Sequence, residues 1–184
     1  MRFALAIAVF FGLGGFAFAE ETSRADFNAF FEKAMGSWLL TLEDFDETGT
    51  LTYQGEQERI FTWGIANRYA EERAFVTREG RERVYLGLML YSLDEERAKT
   101  LMLSFWPRSP RRWAEFEGEV SGGAHPTLSG VLKSFRDDGI ERQRRVEIEF
   151  ESSDRFVFLN FAQNSEGKEY LVERLTYTRK AEAN

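Results

Sequence analysis

Few residues of this chain have the type and spacing that catalysis requires. The sequence contains no cysteine and a single histidine, His125, which lies between Gly123 and Pro126 in a predicted loop. A serine triad built on Ser121 or Ser129 would need that histidine as its base, and no G-x-S-x-G turn is present. For a loop histidine of this kind, solvation is a better interpretation than axial ligation of haem. We therefore predict no enzyme and no cofactor, and rank a haem-binding barrel and a hydrolase as less favoured alternatives.

A cluster of polar residues follows the first predicted strand and imitates the start of a calcium-binding loop. Its members are Asp44, Asp46, Thr48 and Gly49. Counted from Asp44, position twelve of an EF-hand must supply a bidentate glutamate, and Gly55 stands there. The better interpretation is a plain hairpin turn between Phe45 and Leu51, with no metal.

The last predicted strand places one carboxylate among apolar side chains. Alternation puts these residues on one face: Leu171, Glu173, Leu175, Tyr177 and Arg179. An ionised carboxylate in a dry interior needs a partner, so Glu173 either forms an ion pair with an inward Arg59 or Arg73, or acts with Tyr177 as the polar end of an apolar pocket. We rank the ion pair first. The residues that we predict for such a pocket are Glu173, Tyr177, Leu175, Phe116 and Ile148.

One basic and aromatic cluster stands outside these patterns. It consists of Arg108, Arg111 and Arg112 between Trp106 and Trp113. The cluster has the chemistry to receive an anionic headgroup or the acidic surface of a partner. A proline-containing loop with solvated arginines is the simpler interpretation.

The segments that must position these residues read almost entirely as strands. Ten are predicted: Gly36 to Phe45, Leu51 to Thr62, Asn67 to Thr77, Arg81 to Ser92, Lys99 to Trp106, Trp113 to Ser121, Leu128 to Arg136, Arg142 to Glu151, Arg155 to Ala162 and Glu169 to Arg179. Regular short strands without intervening helices are typical of an antiparallel sandwich or an up-and-down barrel. One helix is predicted before them, with Ser23 as N-cap and an apolar stripe formed by Phe27, Phe30, Phe31 and Ala34.

The N-terminal nineteen residues have the features of a secretory signal peptide. Arg2 precedes an apolar run from Phe3 to Ala19 that ends in an A-x-A site, and acidic residues follow. We therefore predict a cleaved signal over 1–19, a single domain over 20–184, and a periplasmic or secreted location. Cleavage removes Arg2 and no acidic residue, so the formal net charge moves from −7 to −8. That charge argues against a nucleic-acid partner.

A Gly36-x-Trp38 pair at the start of the first strand, directly after a short helix, resembles the signature of the lipocalins and their calycin relatives. The resemblance implies an all-β, up-and-down calycin-like barrel of about ten strands, with Arg179 of the last strand over Trp38 at the barrel base. A closer resemblance rests on three further runs: Arg68-Tyr69 with Glu71-Glu72, Gly167-Lys168-Glu169, and Tyr177 to Lys180. Together these motifs resemble a bacterial domain-of-unknown-function family, number fifteen seventy-nine, which implies the same barrel and no established activity.

Two functions from different classes fit these predictions. The first is a non-catalytic periplasmic binding module whose interior holds a small apolar ligand, because about ten strands enclose more space than eight. The second is a structural or protein-interaction barrel filled by its own side chains. Val84 to Leu90 and Phe156 to Phe161 are apolar on both faces, so we expect the helix, a second copy of the chain or another protein to cover them. No membrane span is expected after signal cleavage.

Overall fold

The computed structural model describes residues 23–77, 82–107, 113–135 and 140–181. The predicted signal peptide and the arginines at 108, 111 and 112 lie outside this range. The described elements are α1 (Arg24–Ala34), β1 (Gly36–Phe45), β2 (Leu51–Trp63), a short 3-10 turn (Ile65–Asn67), β3 (Tyr69–Thr77), β4 (Arg83–Asp94), β5 (Lys99–Phe105), β6 (Trp113–Ser121), β7 (Thr127–Phe135), β8 (Glu141–Ser152), β9 (Arg155–Gln163) and β10 (Glu169–Arg179). Within the described residues, no helix is long and apolar enough to cross a membrane.

The ten strands form a closed antiparallel barrel with up-and-down connectivity. Each strand pairs with the next along the chain, and β10 closes the barrel by pairing with β1. In this last pair Trp38 lies opposite Arg179, and Asp44 lies opposite Glu173. The predicted all-β, ten-stranded barrel with one N-terminal helix is therefore confirmed. The predicted bounds match for β1, β6 and β10 and differ by one to two residues at one or both ends of the other strands.

Helix α1 closes one end of the barrel with its aromatic stripe. Ser23 caps the helix by accepting a hydrogen bond from the backbone N–H of Asp26, whose side chain in turn accepts from the Ser23 backbone N–H. This capping box is a strong helix start. The buried Phe30 ring meets Phe150 at 5.2 Å, and the Phe31 ring meets Tyr91 at 5.0 Å. Each fully buried phenylalanine stabilises the fold by about 1.5–3 kcal/mol.

The half of the barrel beside α1 is filled by aromatic rings. Phe156 stacks on Tyr177 with ring centroids 4.0 Å apart and meets the Trp38 ring edge-on at 4.7 Å. Phe150 and Phe61 complete this layer at 4.9 Å and 6.1 Å from Phe156. The larger open space that the described residues enclose therefore lies in the half away from the helix.

A β-bulge corrects the predicted inner face of β10. The register between β10 and β9 shifts between Leu171 and Glu173, so Leu171 lies opposite Phe161 while Glu173 lies opposite Asn160. Opposed residues of an antiparallel pair share a face. Leu171 therefore points outward with Phe161, because the bulge adds one residue to the strand and reverses the alternation.

The segment from Phe156 to Phe161 is apolar on both faces, and an arginine of the same chain covers its outward Phe161 ring. The Arg145 guanidinium lies 4.0 Å from the centre of the Phe161 ring. Elsewhere in the barrel, Arg83 covers the outward Phe75 ring of β3 in the same way, at 3.7 Å. The helix instead closes the barrel end, so of the expected covers a partner chain stays a prediction. Arginine stems and guanidinium planes provide part of that cover.

Two inward glycines allow β6 and β7 to approach a phenylalanine ring. Gly118 and Gly130 lie directly opposite each other. A Cβ on Gly130 would lie 2.2 Å from the Glu117 carbonyl oxygen and 2.8 Å from the Phe116 ring. A Cβ on Gly118 would lie 2.3 Å from the same ring. The Phe116 side chain thus occupies the space that side chains at the two glycines would need.

Candidate functional site

The half of the barrel away from α1 contains a cavity of about 500 Å³. Its wall is apolar over much of its extent, and polar groups converge at two levels within it. The apolar lining residues are Leu42, Met89, Met102, Trp106, Trp113, Leu132, Phe158 and Leu175. The polar lining residues include Asp44, Gln57, Arg59, Glu72, Tyr91, Arg144, Asn160, Glu173 and Tyr177.

The floor of this cavity is a buried hydrogen-bonded network centred on Glu72. Its carboxylate accepts from Arg59 Nη1 at 3.0 Å, from the Tyr177 hydroxyl at 3.0 Å and from the Tyr91 hydroxyl at 2.8 Å. Arg59 also donates through Nη2 to the side-chain oxygen of Gln57 at 2.7 Å. Arg59 is 4% exposed and Glu72 2% exposed, so the ion pair is desolvated, and its partners satisfy the charges that burial would otherwise leave uncompensated.

Strand pairing explains why these four side chains meet. Arg59 on β2 and Glu72 on β3 are both inward because Arg59 lies opposite Ala74, two residues from Glu72 on the same face. Tyr91 and Tyr177 reach the same carboxylate from β4 and β10. Burial, and next the negative charge of Glu72, raise the pKa of each tyrosine hydroxyl well above its ordinary value. Both hydroxyls therefore remain protonated donors.

A second polar group, the rim cluster, consists of Asp44, Asn160 and Glu173. Glu173 lies opposite Asp44 on β1 and opposite Asn160 on β9. The Asn160 amide nitrogen lies 3.4 Å from a Glu173 carboxylate oxygen. Burial raises the pKa of Glu173 and the charge of Asp44 adds to that rise, while the Asn160 hydrogen bond and the charges of Arg144 and Arg59 lower it.

Two buried polar atoms of the cavity wall lack a hydrogen-bond partner within the described residues. They are the side-chain oxygen of Asn160 and the Nε of Arg59. Asn160 is 1% exposed. A buried polar atom without a partner is costly, about 1–3 kcal/mol, so each atom is a point at which a bound molecule would stabilise the protein.

The structure brings three of the five predicted pocket residues together. Glu173, Leu175 and Tyr177 line the cavity. Phe116 and Ile148 are inward and buried but do not line it, so the structure does not bring them together with the other three. Both belong to the filled part of the core, and alternation along a strand gives the face of a residue without its height in the barrel.

The two arginines that we predicted as ion-pair partners of Glu173 bind other carboxylates. Arg59 is inward but is bound to Glu72. Arg73 has a half-exposed side chain that pairs with Glu71 at 2.6 Å. The direct hydrogen-bond partner of Glu173 is Asn160.

Sequence reasoning missed Glu72, Tyr91 and Asn160 as members of the site. A signal for Glu72 was present, because it stands between Ala70 and Ala74 on one face of β3 and both alanines are fully buried. Asn160 sits within an otherwise apolar strand, RFVFLNFAQ, where a polar side chain on the inner face is itself informative.

The barrel base joins Gly36, Trp38 and Arg179. Arg179 donates hydrogen bonds to the carbonyls of Met35 and Lys33, both at 2.8 Å, and its guanidinium lies 4.2 Å from the centre of the Trp38 ring. Trp38 Nε1 donates to the Ala34 carbonyl at 2.7 Å. Gly36 has φ +113°, and a Cβ there would lie 3.0 Å from Arg179 Nη1. The conformation therefore favours glycine, and a Cβ would also crowd the Arg179 guanidinium.

Of the two sites considered for metals and cofactors, His125 lies away from the rim cluster, whereas the turn after β1 shares Asp44 with that cluster. His125 Nδ1 lies 3.0 Å from the Phe150 carbonyl oxygen, at the end of the barrel closed by α1. Asp46 accepts from the backbone N–H groups of Thr48 and Thr50 at 2.9 Å and 3.0 Å, which makes it a turn residue. Within the described ranges, no group of three or more histidine, aspartate or glutamate residues has the arrangement of a metal site.

The outer surface carries a second depression, of about 910 Å³. Its wall mixes apolar and charged side chains of β4 to β8, among them Leu90, Leu103, Glu115, Val131 and Lys133. Its volume exceeds that of the interior cavity. The interior cavity is nevertheless the better candidate site, because buried polar groups converge only there among these two.

No family model matches the chain, and no curated protein matches it. Similar solved structures include an S-type phycobiliprotein lyase from Guillardia theta, with 14% identity, a TM-score of 0.48, and 85% of this chain and 94% of that chain covered. A redesigned β-barrel has 12% identity and a TM-score of 0.37, covering 82% and 95% of the two chains. A protein of unknown function of the DUF3598 family from Nostoc punctiforme has 10% identity and a TM-score of 0.24, covering 82% and 97%.

At these identities and TM-scores, the similarity carries no argument about function. The resemblance to family number fifteen seventy-nine therefore rests on the motifs of the sequence alone.

Proposed function

We propose that this protein is a non-catalytic binding barrel that holds a small, largely apolar ligand in the half of the barrel away from α1. The observation that carries the proposal is the interior cavity of about 500 Å³, walled by aliphatic, thioether and aromatic side chains. Ligand sites typically enclose about 300–1,000 Å³ and combine an apolar wall with a few convergent polar groups. The cavity matches both features.

The distribution of side chains favours binding over a purely structural barrel. Aromatic rings fill the layer beside α1, where Phe156 and Tyr177 stack at 4.0 Å. On the inner faces above that layer, small residues such as Ser104, Ala114 and Ser134 line the cavity. A barrel that served only as a scaffold would gain about 0.8 kcal/mol for each additional buried methylene at these positions.

The polar groups define how a ligand would be oriented. The floor network satisfies its own charges, since Glu72 accepts from Arg59, Tyr91 and Tyr177. The rim cluster contains the buried Asn160 oxygen without a partner in the described part of the chain. The polar end of a ligand therefore faces the rim, and its apolar body packs against Leu42, Leu175 and their neighbours.

Export of the protein is part of the proposal. It rests on the sequence of residues 1–19, which have the charge, apolar run and small-residue site of a secretory signal. Delivery to the periplasm or the exterior would place the binding barrel where it meets molecules from outside the cell.

A probe titration with matched variants tests the site. Nile red, a neutral apolar fluorophore, should bind the wild-type protein and brighten. Ala114→Phe would fill the cavity from β6 and should weaken probe binding at least about tenfold, equivalent to about 1.4 kcal/mol. Glu115→Phe, the next residue on the same strand, lies in the outer depression and should leave the affinity unchanged.

If Glu115→Phe weakened probe binding and Ala114→Phe did not, the binding site would lie in the outer depression. Failure of wild type to bind any apolar probe would overturn the binding function. Native mass spectrometry of protein purified from its own organism would then distinguish a monomer from a dimer or a hetero-complex, as the structural alternative predicts.

A further inference from the structure

We propose that the ligand of this barrel carries a neutral carbonyl group within its apolar body, and that the carbonyl oxygen accepts a hydrogen bond from the Nε of Arg59. This inference rests on the proposed binding function and adds a chemical class for the ligand. The contact lies at the floor of the cavity and does not depend on the charges of the rim cluster.

The Nε of Arg59 is a buried donor without an acceptor. The residue is 4% exposed. Its Nη1 donates to Glu72 at 3.0 Å and its Nη2 donates to Gln57 at 2.7 Å, whereas Nε has no hydrogen-bond partner within the described residues. A guanidinium stays protonated and can only donate. The group that is missing at this point is therefore an acceptor.

The guanidinium of Arg59 borders the open space of the cavity. Its central carbon lies 5.9 Å from the centre of the Trp106 ring, and both residues line the cavity. The sulfur of Met89, which also lines the cavity, lies 4.0 Å from Nη1. A methionine side chain is flexible and adapts to its neighbours, so a ligand oxygen can reach Nε by displacing it.

The charge of the floor favours a neutral acceptor over an anion. Arg59 and Glu72 form an ion pair at 3.0 Å, and both side chains are almost fully buried. The positive charge of the guanidinium is therefore already compensated at this level of the barrel. An anion at Nε would add a second negative charge near Glu72 in a site removed from water, which is costly. A carbonyl oxygen completes the hydrogen bonding of the guanidinium without adding a charge.

A carbonyl also fits the floor better than a hydroxyl does. A hydroxyl would bring its own hydrogen, which needs an acceptor once it is buried. The acceptors beside the guanidinium are Glu72, which already binds Arg59, Tyr91 and Tyr177, and Gln57, which binds Arg59. A carbonyl oxygen only accepts, so it leaves no new donor unsatisfied.

Three naphthalene derivatives of similar size and shape test the proposal: 2-acetylnaphthalene, 2-isopropenylnaphthalene and 2-naphthoate. The first two differ by the exchange of a carbonyl oxygen for a methylene group. Calorimetry on the full mature protein should give the ketone an affinity about tenfold to about a hundredfold higher than that of the isopropenyl compound, the range expected for a hydrogen bond to a charged group. The carboxylate should bind more weakly than the ketone.

Two spectroscopic readouts on the wild-type protein report the contact itself. Binding of 2-acetylnaphthalene should shift the Nε–H proton resonance of Arg59 downfield, and binding of 2-isopropenylnaphthalene should not. The infrared band of the bound carbonyl should lie at lower wavenumber than the band of the same ketone in hexane. A ketone held only by apolar contacts would produce neither change.

Arg59→Lys keeps a cation beside Glu72 and removes the Nε–H, so it should abolish the preference for the ketone over the isopropenyl compound. The matched control is Arg73→Lys on the outward Arg73–Glu71 pair, which should keep the preference. If Arg59→Lys does not fold, the wild-type spectra decide alone.

The possible failures of the two proposals are distinguishable. Equal binding of the ketone and the isopropenyl compound by wild type, or an unshifted Arg59 resonance and carbonyl band, would overturn the carbonyl assignment while leaving the binding barrel intact. Tighter binding of 2-naphthoate would overturn it in favour of an anionic ligand. Absence of binding by Nile red and by all three naphthalenes would instead overturn the proposed function.

Discussion

The guanidinium of Arg179 lies 4.2 Å from the centre of the Trp38 ring, and the two residues are directly opposed across the pair that closes the barrel. Arg179 is fixed from above by two carbonyl oxygens at the C-terminal end of α1, those of Lys33 and Met35. One side chain therefore joins the helix, the first strand and the last strand.

Loss of either member of this pair should destabilise the barrel, and the two losses should not add. Trp38→Ala should cost about 3–5 kcal/mol, because the ring is fully buried. Arg179→Ala should cost less, since its side chain is about one-third exposed and a cation–π contact contributes about 0.5–2 kcal/mol. Urea unfolding of the two single variants and the double variant measures the coupling. Additive losses would show that the contact contributes nothing.

Removal of one member of the Arg59–Glu72 pair should lower the free energy of unfolding more than removal of both members. Glu72→Leu leaves a buried guanidinium uncompensated, and such a break costs about 3–5 kcal/mol. Combining Arg59→Met with Glu72→Leu should recover much of that loss, because no buried charge remains. Chemical denaturation checks the order, with Glu71→Ala on the outward Arg73–Glu71 pair as a control that should cost at most about 1 kcal/mol. A double variant less stable than Glu72→Leu would contradict the argument.

The carboxyl of Glu173 should make the empty protein less stable as pH rises. Its folded-state pKa lies above the ordinary value of 4.5, so the folded state binds more protons than the unfolded state between the two pKa values. Stability from this group is present below the unfolded pKa and is lost as pH rises through the folded pKa. Relative to Glu173→Gln, wild type should therefore lose unfolding free energy as pH increases above about 4.5, and then reach a constant difference. A difference that is independent of pH would contradict the raised pKa.

Gly130→Ala should destabilise the barrel although alanine adds a single methyl group. The new Cβ would lie 2.2 Å from the Glu117 carbonyl oxygen, and backbone atoms yield little. Overpacking of this kind costs about 1–3 kcal/mol. Thermal unfolding should show the loss, whereas Ser129→Ala, at the adjacent exposed position of β7, should melt within a few degrees of wild type. Equal melting temperatures for all three proteins would show that the strands separate freely here.

The exported protein should begin at Glu20. Intact-mass analysis of protein from the periplasmic fraction of an expression host should show loss of residues 1–19, because the A-x-A site ends at Ala19. Ala19→Arg should block processing and retain the precursor. A full-length chain in the periplasmic fraction of the unmodified protein would contradict the predicted cleavage.

Alternation and turn residues were sufficient to predict the architecture. Val146, Ile148 and Phe150 alternate with charged residues along β8, and all three are buried in the barrel. The helix was predictable for a similar reason, since its four apolar residues share one stripe and all are buried. Local patterns of this kind depend on the period of the element, which the sequence displays directly.

The candidate site was less predictable because it depends on register and on height in the barrel. The bulge beside Glu173 reverses the face of Leu171 without a glycine or proline to mark it. Tyr91 comes from the middle of the chain and Tyr177 from near its C-terminus, yet both donate to Glu72. Such contacts depend on the order and register in which the strands pair around the barrel. Alternation along a single sequence does not indicate which inward residues lie at the same height.

Closure of the barrel by β10 also determines when this chain is most vulnerable during folding. The hydrogen bond from Arg179 to Met35 joins positions 144 residues apart, and contacts of such separation form slowly. Until Glu169–Arg179 has paired, β1 and β9 are open edges whose backbone groups can pair with another chain. Docking of the last strand removes both edges at once, so aggregation competes with folding up to that step.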